Sequence, residues 1–171
     1  MRAHGANGGY PGAMIDPSEL PHLRRCVELA EEALAVGDEP FGSVLVGADG
    51  TVLAEDRNRT SGGDQTRHPE FELARRAAAT LTLEERAGAT VYTSGEHCPM
   101  CAAAHAWVAL GRIVYASSSA QLTQWRTEFG VPPGPVRALP VEEIAPNVTV
   151  EGPVMELAEP VYELQRRFHL G

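Results

Sequence analysis

His68-Pro69-Glu70 and Cys98-Pro99-Met100-Cys101 are the stretches of this sequence whose residue types and spacing could do chemistry. Together they offer one imidazole, two thiols and one carboxylate. Cys98 and Cys101 stand at the spacing that lets one turn of chain bring two sulfurs to one tetrahedral ion. Two thiolates and a neutral imidazole would balance the charge of Zn²⁺ and leave its fourth position for water. Water or hydroxide held there is far more acidic than bulk water. Glu70 need not bind the ion. It could take a proton from that water and return it to a substrate. The expectation is one Zn²⁺ per subunit on His68, Cys98 and Cys101, with Glu70 as the catalytic carboxylate.

Each part also has a blander reading. A lone His-x-Glu is common, and Cys-x-x-Cys serves redox chemistry as well as metals. A closed, purely structural zinc site would need a fourth protein ligand, and His97 or His105 could supply it. Cys26 sits in an apolar helical pattern and reads as a small buried hydrophobe.

The elements that must position these residues follow from the pattern around them. In both motifs a proline follows a ligand, which places it at the first position of a helix. Free N–H groups and the positive dipole end would then lie at the metal and favour thiolate. One helix is predicted from Pro69 to about Thr80, with Phe71, Leu73, Ala74, Ala77 and Ala78 on its apolar side. The other is predicted from about Pro99 to Leu110, stopped by Gly111. Asp16-Pro17-Ser18-Glu19 carries helix-start chemistry for an earlier helix with Leu20, Leu23, Val27, Ala30 and Leu34 at helical spacing, ending at Gly37. Strands are expected at 43–46, 51–58, 89–93, 112–116 and 147–151, with a hairpin turn at Asp49-Gly50. A tight turn is expected over 94–97, and further helices over 117–129 and 154–169. The proline-rich stretch 130–146 reads as a rigid, irregular connection. This order implies an α/β fold: a mixed five-stranded sheet covered by helices on both faces, a three-layer α-β-α sandwich.

Residues 1–15, rich in glycine, read as a flexible tail, and 16–171 as one domain. With 43% hydrophobic and 22% charged residues, the 171-residue chain is an ordinary globular mix long enough for a real core. Its net charge of −9 disfavours a polyanionic partner, although Arg57, Arg59 and Arg67 could form a local basic patch. No apolar run could span a bilayer, and the start does not read as a secretory signal, so the expected address is the cytoplasm.

In combination the motifs resemble the His-x-Glu plus Pro-Cys-x-x-Cys signature of the zinc deaminases of nucleobases. From Asp16 onward the sequence is similar to the cytidine and deoxycytidylate deaminase superfamily. Its nearest likeness is to the guanine deaminase-like branch. Thr93-Ser94-Gly95-Glu96-His97-Cys98-Pro99-Met100-Cys101 is similar to the Thr-Ser-Cys-Glu-Pro-Cys-Pro-Met-Cys run of bacterial guanine deaminases. Pro40-Phe41-Gly42 resembles their Pro-Phe-Gly-Ala, and Asn58 matches the asparagine after their second strand. The resemblance implies a cytidine deaminase-like fold and a homodimer. It implies a small heterocyclic amine as substrate, with Phe41 stacking near the ring, Asn58 bonding its polar edge, and a carbonyl near Ser94 accepting from the departing amine. Trp107 would serve core or dimer packing, and Trp125 is a weaker pocket candidate. One of Glu142, Glu143, Glu156 or Glu159 could enter as a second carboxylate.

Three residues depart from the pattern. Pro69 replaces a residue whose N–H holds a substrate carbonyl in relatives, and proline has none. His97 replaces a proline, and 117–122 lacks the acid that reads guanine. The expected reaction is therefore hydrolytic deamination of a free guanine-, cytosine- or aminotriazine-type heterocycle with release of ammonia. The alternatives are editing of adenosine in tRNA and an inactive, zinc-stabilised binding module.

Overall fold

The computed structural model describes residues 12–171. Its elements run α1 (Leu20–Ala35), β1 (Gly42–Val46), β2 (Val52–Arg57), α2 (Pro69–Thr80), α3 (Leu83–Gly88), β3 (Thr90–Gly95), α4 (Pro99–Trp107), β4 (Arg112–Ser117), α5 (Ser119–Glu128), α6 (Val141–Ile144), β5 (Val150–Glu151) and α7 (Met155–Leu170). The strands form one five-stranded sheet in the order β2-β1-β3-β4-β5. β1 is antiparallel to both β2 and β3, while β3, β4 and β5 run parallel. The mixed sheet expected from the sequence is present, and it has helices on both faces.

The inner strands are buried on both faces, so alternate residues feed different layers. Val44, Val46, Tyr92 and Val114 pack with Leu23, Cys26 and Leu29 of α1, Trp125 of α5 and Val161 of α7. Leu45 and Val91 point the other way, to Leu73, Ala74 and Ala77 of α2. Ile113 and Tyr115 join Ala102 of α4 and Val141 of α6. Cys26 is fully buried in the first of these layers, as its apolar setting suggests.

α1 rests directly on the start of β1. A Cβ at Gly42 would lie 2.4 Å from the Cys26 carbonyl and 2.4 Å from Leu29 Cβ, so only glycine permits that approach. Ser43, the next residue, faces the other side of the sheet, where its hydroxyl meets Glu70.

Several boundaries differ from the sequence reading. β3 continues through Gly95, where a turn was expected from Ser94, because Gly95 still pairs with Ser117 of β4. α4 stops at Trp107, and Ala109 takes a left-handed conformation at φ +58°. α3 was not expected; a reciprocal Thr82–Glu85 capping box starts it. The irregular 130–146 stretch contains α6, and the last strand contracts to Val150–Glu151. Of the expected tail, residues 1–11 lie outside the described residues. The Ala13 N–H donates to the Pro153 carbonyl at 2.9 Å, and Ile15 packs on the α1 layer. Among the described residues no helix is long and apolar enough to cross a membrane.

Candidate active site

The N-termini of α2 and α4 meet beyond the end of β3. His68 is the N-cap of α2 and Cys98 the N-cap of α4, each followed by proline at the first helical position. Neither side chain makes the usual N-cap hydrogen bond. Instead the two side chains face each other. His68 Nδ1 lies 3.5 Å from Cys98 Sγ and 3.6 Å from Cys101 Sγ, one helical turn farther along α4. The three donor atoms all lie within 4.8 Å of one another.

These distances fit a metal. Bond lengths of about 2.3 Å to sulfur and about 2.0–2.1 Å to nitrogen put two donors about 3.6 Å apart at a tetrahedral angle. The donor set, one imidazole and two soft sulfurs, suits zinc. His97 and His105, the candidates for a fourth ligand, stand outside the donor group. Their rings are buried edge to face at 5.3 Å, and His105 Nε2 pairs with the Gly111 carbonyl at 2.8 Å.

The electrostatics agree with the geometry. Cys98 is held down to about 4, first by the hydrogen bond from Cys101 and then, against burial, by His68. Cys101 is pushed up by that same bond and by burial. A divalent cation at this point would favour the thiolate form of both cysteines.

Glu70 takes the first position of the buried stripe of α2, ahead of Leu73, Ala74 and Ala77. It is 6% exposed, and burial raises its carboxyl above the ordinary value, with the nearby His68 opposing the shift. Its Oε1 lies 2.9 Å from Thr93 Oγ1 and 3.2 Å from Ser43 Oγ, both inner-strand hydroxyls.

The other expected residues lie around this centre. The Phe41 ring covers Gly95, where a Cβ would sit 3.0 Å from Phe41 Cε1. The Phe41 carbonyl accepts the Asn58 N–H at 3.0 Å, which ties the two together. Asn58 is 2% exposed; its Nδ2 reaches Thr60 Oγ1 at 3.4 Å, and its Oδ1 is buried without a partner. Ser94 is fully buried; its Oγ accepts the Gly42 N–H at 3.1 Å, and its carbonyl accepts the Ser117 hydroxyl at 2.8 Å.

Cytidine and deoxycytidylate deaminase zinc-binding proteins match this chain over residues 18–117, more than half of it. The chain belongs to this family. It is 29% identical over 144 residues to a probable cytosine deaminase of Schizosaccharomyces pombe, covering 83% of this chain and 88% of that one. It is 38% identical over 97 residues to the guanine deaminase of Bacillus subtilis, covering 56% of this chain and 62% of that enzyme. A guanine deaminase structure from Nitrosomonas europaea superposes with a TM-score of 0.67 at 20% identity, over 95% of this chain and 89% of that one, which is a likeness of fold.

Within this deaminase-family fold, some candidates lie away from the centre. Trp107 is 88% exposed and so takes no part in the core, while Trp125 packs in the α1 layer against Tyr162 at 5.4 Å. Glu156 pairs with Arg24 on the surface, and Glu143 and Glu159 are exposed. The sequence reading missed Ser43, Thr93 and Glu39. Glu39 pairs with Arg126 and lies 3.8 Å from His169 Nε2. Ser43 and Thr93 could have been found as polar residues on the inward face of apolar strands.

Proposed function

We propose that this chain is a zinc-dependent hydrolase that removes the exocyclic amino group of a free nucleobase or related aminated heterocycle and releases ammonia. The observation that carries the reading is the buried carboxylate of Glu70 set beside a three-donor His68–Cys98–Cys101 centre with no fourth protein ligand among the described residues. When bound, zinc would lower the pKa of a coordinated water and so supply the nucleophile at neutral pH.

This chain's residues do the rest. Glu70 takes the proton from the attacking water, gives it to the ring nitrogen next to the amino-bearing carbon, and serves the leaving amine in the same way. Burial suits Glu70 to hold that proton between steps. Asn58 Oδ1, buried without a partner, accepts a ring or amino N–H of the substrate. Phe41 lies along the ring. Pro69 offers no N–H to a substrate carbonyl, so the ring is held from the Asn58 side.

A free heterocycle fits the net charge of −9 better than a polynucleotide does. The likenesses to guanine and cytosine deaminases support the same substrate class. A likeness of 39% over 102 residues to a tRNA-specific adenosine deaminase of Agrobacterium fabrum supports the rival reading, editing of tRNA.

An ammonia-release screen over guanine, cytosine, adenine, their nucleosides, aminotriazines and tRNA tests this. The expected result is turnover of a free heterocycle without RNA. Glu70→Gln should lower it by about 10²- to 10⁴-fold with zinc retained. Turnover that requires tRNA and falls steeply with salt would transfer the assignment to the rival. Silence across the whole screen by a zinc-loaded chain would point to a binding module.

A further inference from the structure

Ser43 and Thr93 are direct cross-strand partners on β1 and β3, and both are fully buried. They lie on the sheet face that Leu45 and Val91 present to α2, beneath Glu70. A buried hydroxyl at such a position costs stability unless it is bonded. Here the hydroxyls bond each other and the carboxylate. Ser43 Oγ and Thr93 Oγ1 are 2.9 Å apart, and Thr93 Oγ1 is also 2.9 Å from the Gly95 carbonyl.

The proton count gives this group its interest. Each hydroxyl has one proton, and three acceptors stand within reach: Glu70 Oε1, Thr93 Oγ1 and the Gly95 carbonyl. If Thr93 donates to Gly95, Ser43 can donate to Oε1. If Thr93 donates to Oε1, Ser43 can donate to Thr93. Oε1 keeps a donor in both of these arrangements, and loses it only when Thr93 donates to Gly95 while Ser43 donates to Thr93. Oε2 makes no hydrogen bond among the described residues.

We propose that Ser43 and Thr93 are positioning residues that anchor Oε1 of Glu70 through an interchangeable hydroxyl pair, leaving Oε2 as the oxygen that moves the proton. This rests on the deaminase reading above. The anchor holds the carboxylate in one rotamer while its other oxygen works, and a misplacement of about 1 Å in such a group can cost roughly 10²-fold in rate. Because the hydroxyls back each other up, loss of both has a larger effect than the two single losses combined.

The test compares zinc-loaded wild type with Ser43→Ala, Thr93→Val, the double variant Ser43→Ala/Thr93→Val, and Thr93→Ser, which keeps the hydroxyl. Two readouts are taken: the position of the Glu70 carboxylate in crystal structures, and kcat and KM for the amine that the screen identifies. In the double variant the carboxylate should rotate or split between positions, and kcat should fall roughly 10- to 100-fold with KM unchanged. Thr93→Ser should keep both at wild-type values. A carboxylate that stays in place in the double variant, or a kcat that stays at the wild-type value, overturns the proposal. If wild type releases ammonia from no amine, the deaminase reading fails, and the carboxylate position still decides the anchoring. Should the double variant not fold, Ser43→Ala/Thr93→Ala, which removes the same two hydroxyls, is judged by the same readouts, and an unmoved carboxylate there overturns the proposal.

Discussion

The floor of the site and its rim are built on different terms. On the floor, His68, Cys98 and Cys101 converge on one point, and Glu70 Oε1 is anchored by two strand hydroxyls. These groups sit on helix N-termini and inner strands, the least yielding parts of the sheet. The rim is made of Phe41 and Asn58, which follow a turn and an edge strand, with Glu39 and Arg126 nearby. Its central polar atom, Asn58 Oδ1, is buried and has no partner. A floor satisfied by its own groups suits one fixed reaction. On the proposed function, a rim with an unfilled acceptor is where a ligand's N–H would bind and substrates would be told apart.

Damage to the floor should remove chemistry, and damage to the rim should remove recognition. The largest effect is expected from Cys101→Ala. Two remaining donors do not make a closed-sided zinc site, so bound zinc measured by atomic emission should fall from about one per chain to near zero, and turnover with it. Full zinc occupancy in this variant would break the assignment of the floor.

Asn58→Ala should act more gently and in a different currency. It should keep its zinc and lower kcat/KM by roughly 10- to 100-fold, equivalent to about 1–3 kcal/mol for a lost hydrogen bond to a buried partner. The substrate that loses most identifies which ring edge Asn58 reads. If every substrate is unaffected, Asn58 is a turn residue bonded to Thr60 and the rim lies elsewhere.

The same division explains what the sequence made legible. The floor residues lie within two short stretches, and His68 and Cys98 each precede a proline that starts a helix, so the motifs, joined by their resemblance to the deaminase signature, named His68, Glu70, Cys98 and Cys101 together. The mixed sheet was legible for a related reason, since apolar strand runs alternate with helical periods; the order of its strands was not, because it depends on long-range pairing. The rim is assembled from segments far apart in the chain. Glu39 meets Arg126 and His169 only through tertiary packing, and no local pattern announces it. Trp125 shows the reverse error. It reads as a weaker pocket candidate, whereas the packing of α5 on α7 places it in the core. Ser43 and Thr93 fall between these cases. Their inward parity is visible from the strands, but that both reach the same carboxylate oxygen depends on the β1–β3 register.

The smallest expected effect concerns what holds the rim to the body. Asp38 is 4% exposed; its carboxylate accepts the Ser61 N–H at 2.7 Å and a guanidinium N–H of Arg57 at 3.0 Å. These bonds pin the segment after Asn58 to the end of α1. Burial alone would raise the Asp38 carboxyl, but the Ser61 and Arg57 bonds outweigh it and leave the group below the ordinary aspartate value. A carboxylate whose folded-state pKa is depressed contributes stability above its unfolded value and loses that contribution as pH falls through the folded one. Wild type should therefore exceed Asp38→Asn by about 1–2 kcal/mol near pH 7, and the gap should close as pH falls below about 3.8. Chemical denaturation at several pH values measures this, and zinc-free protein limits confusion from acid loss of metal at the floor. A gap that persists unchanged into acid would mean that Asp38 acts through packing, and that the rim is tied down as firmly as the floor.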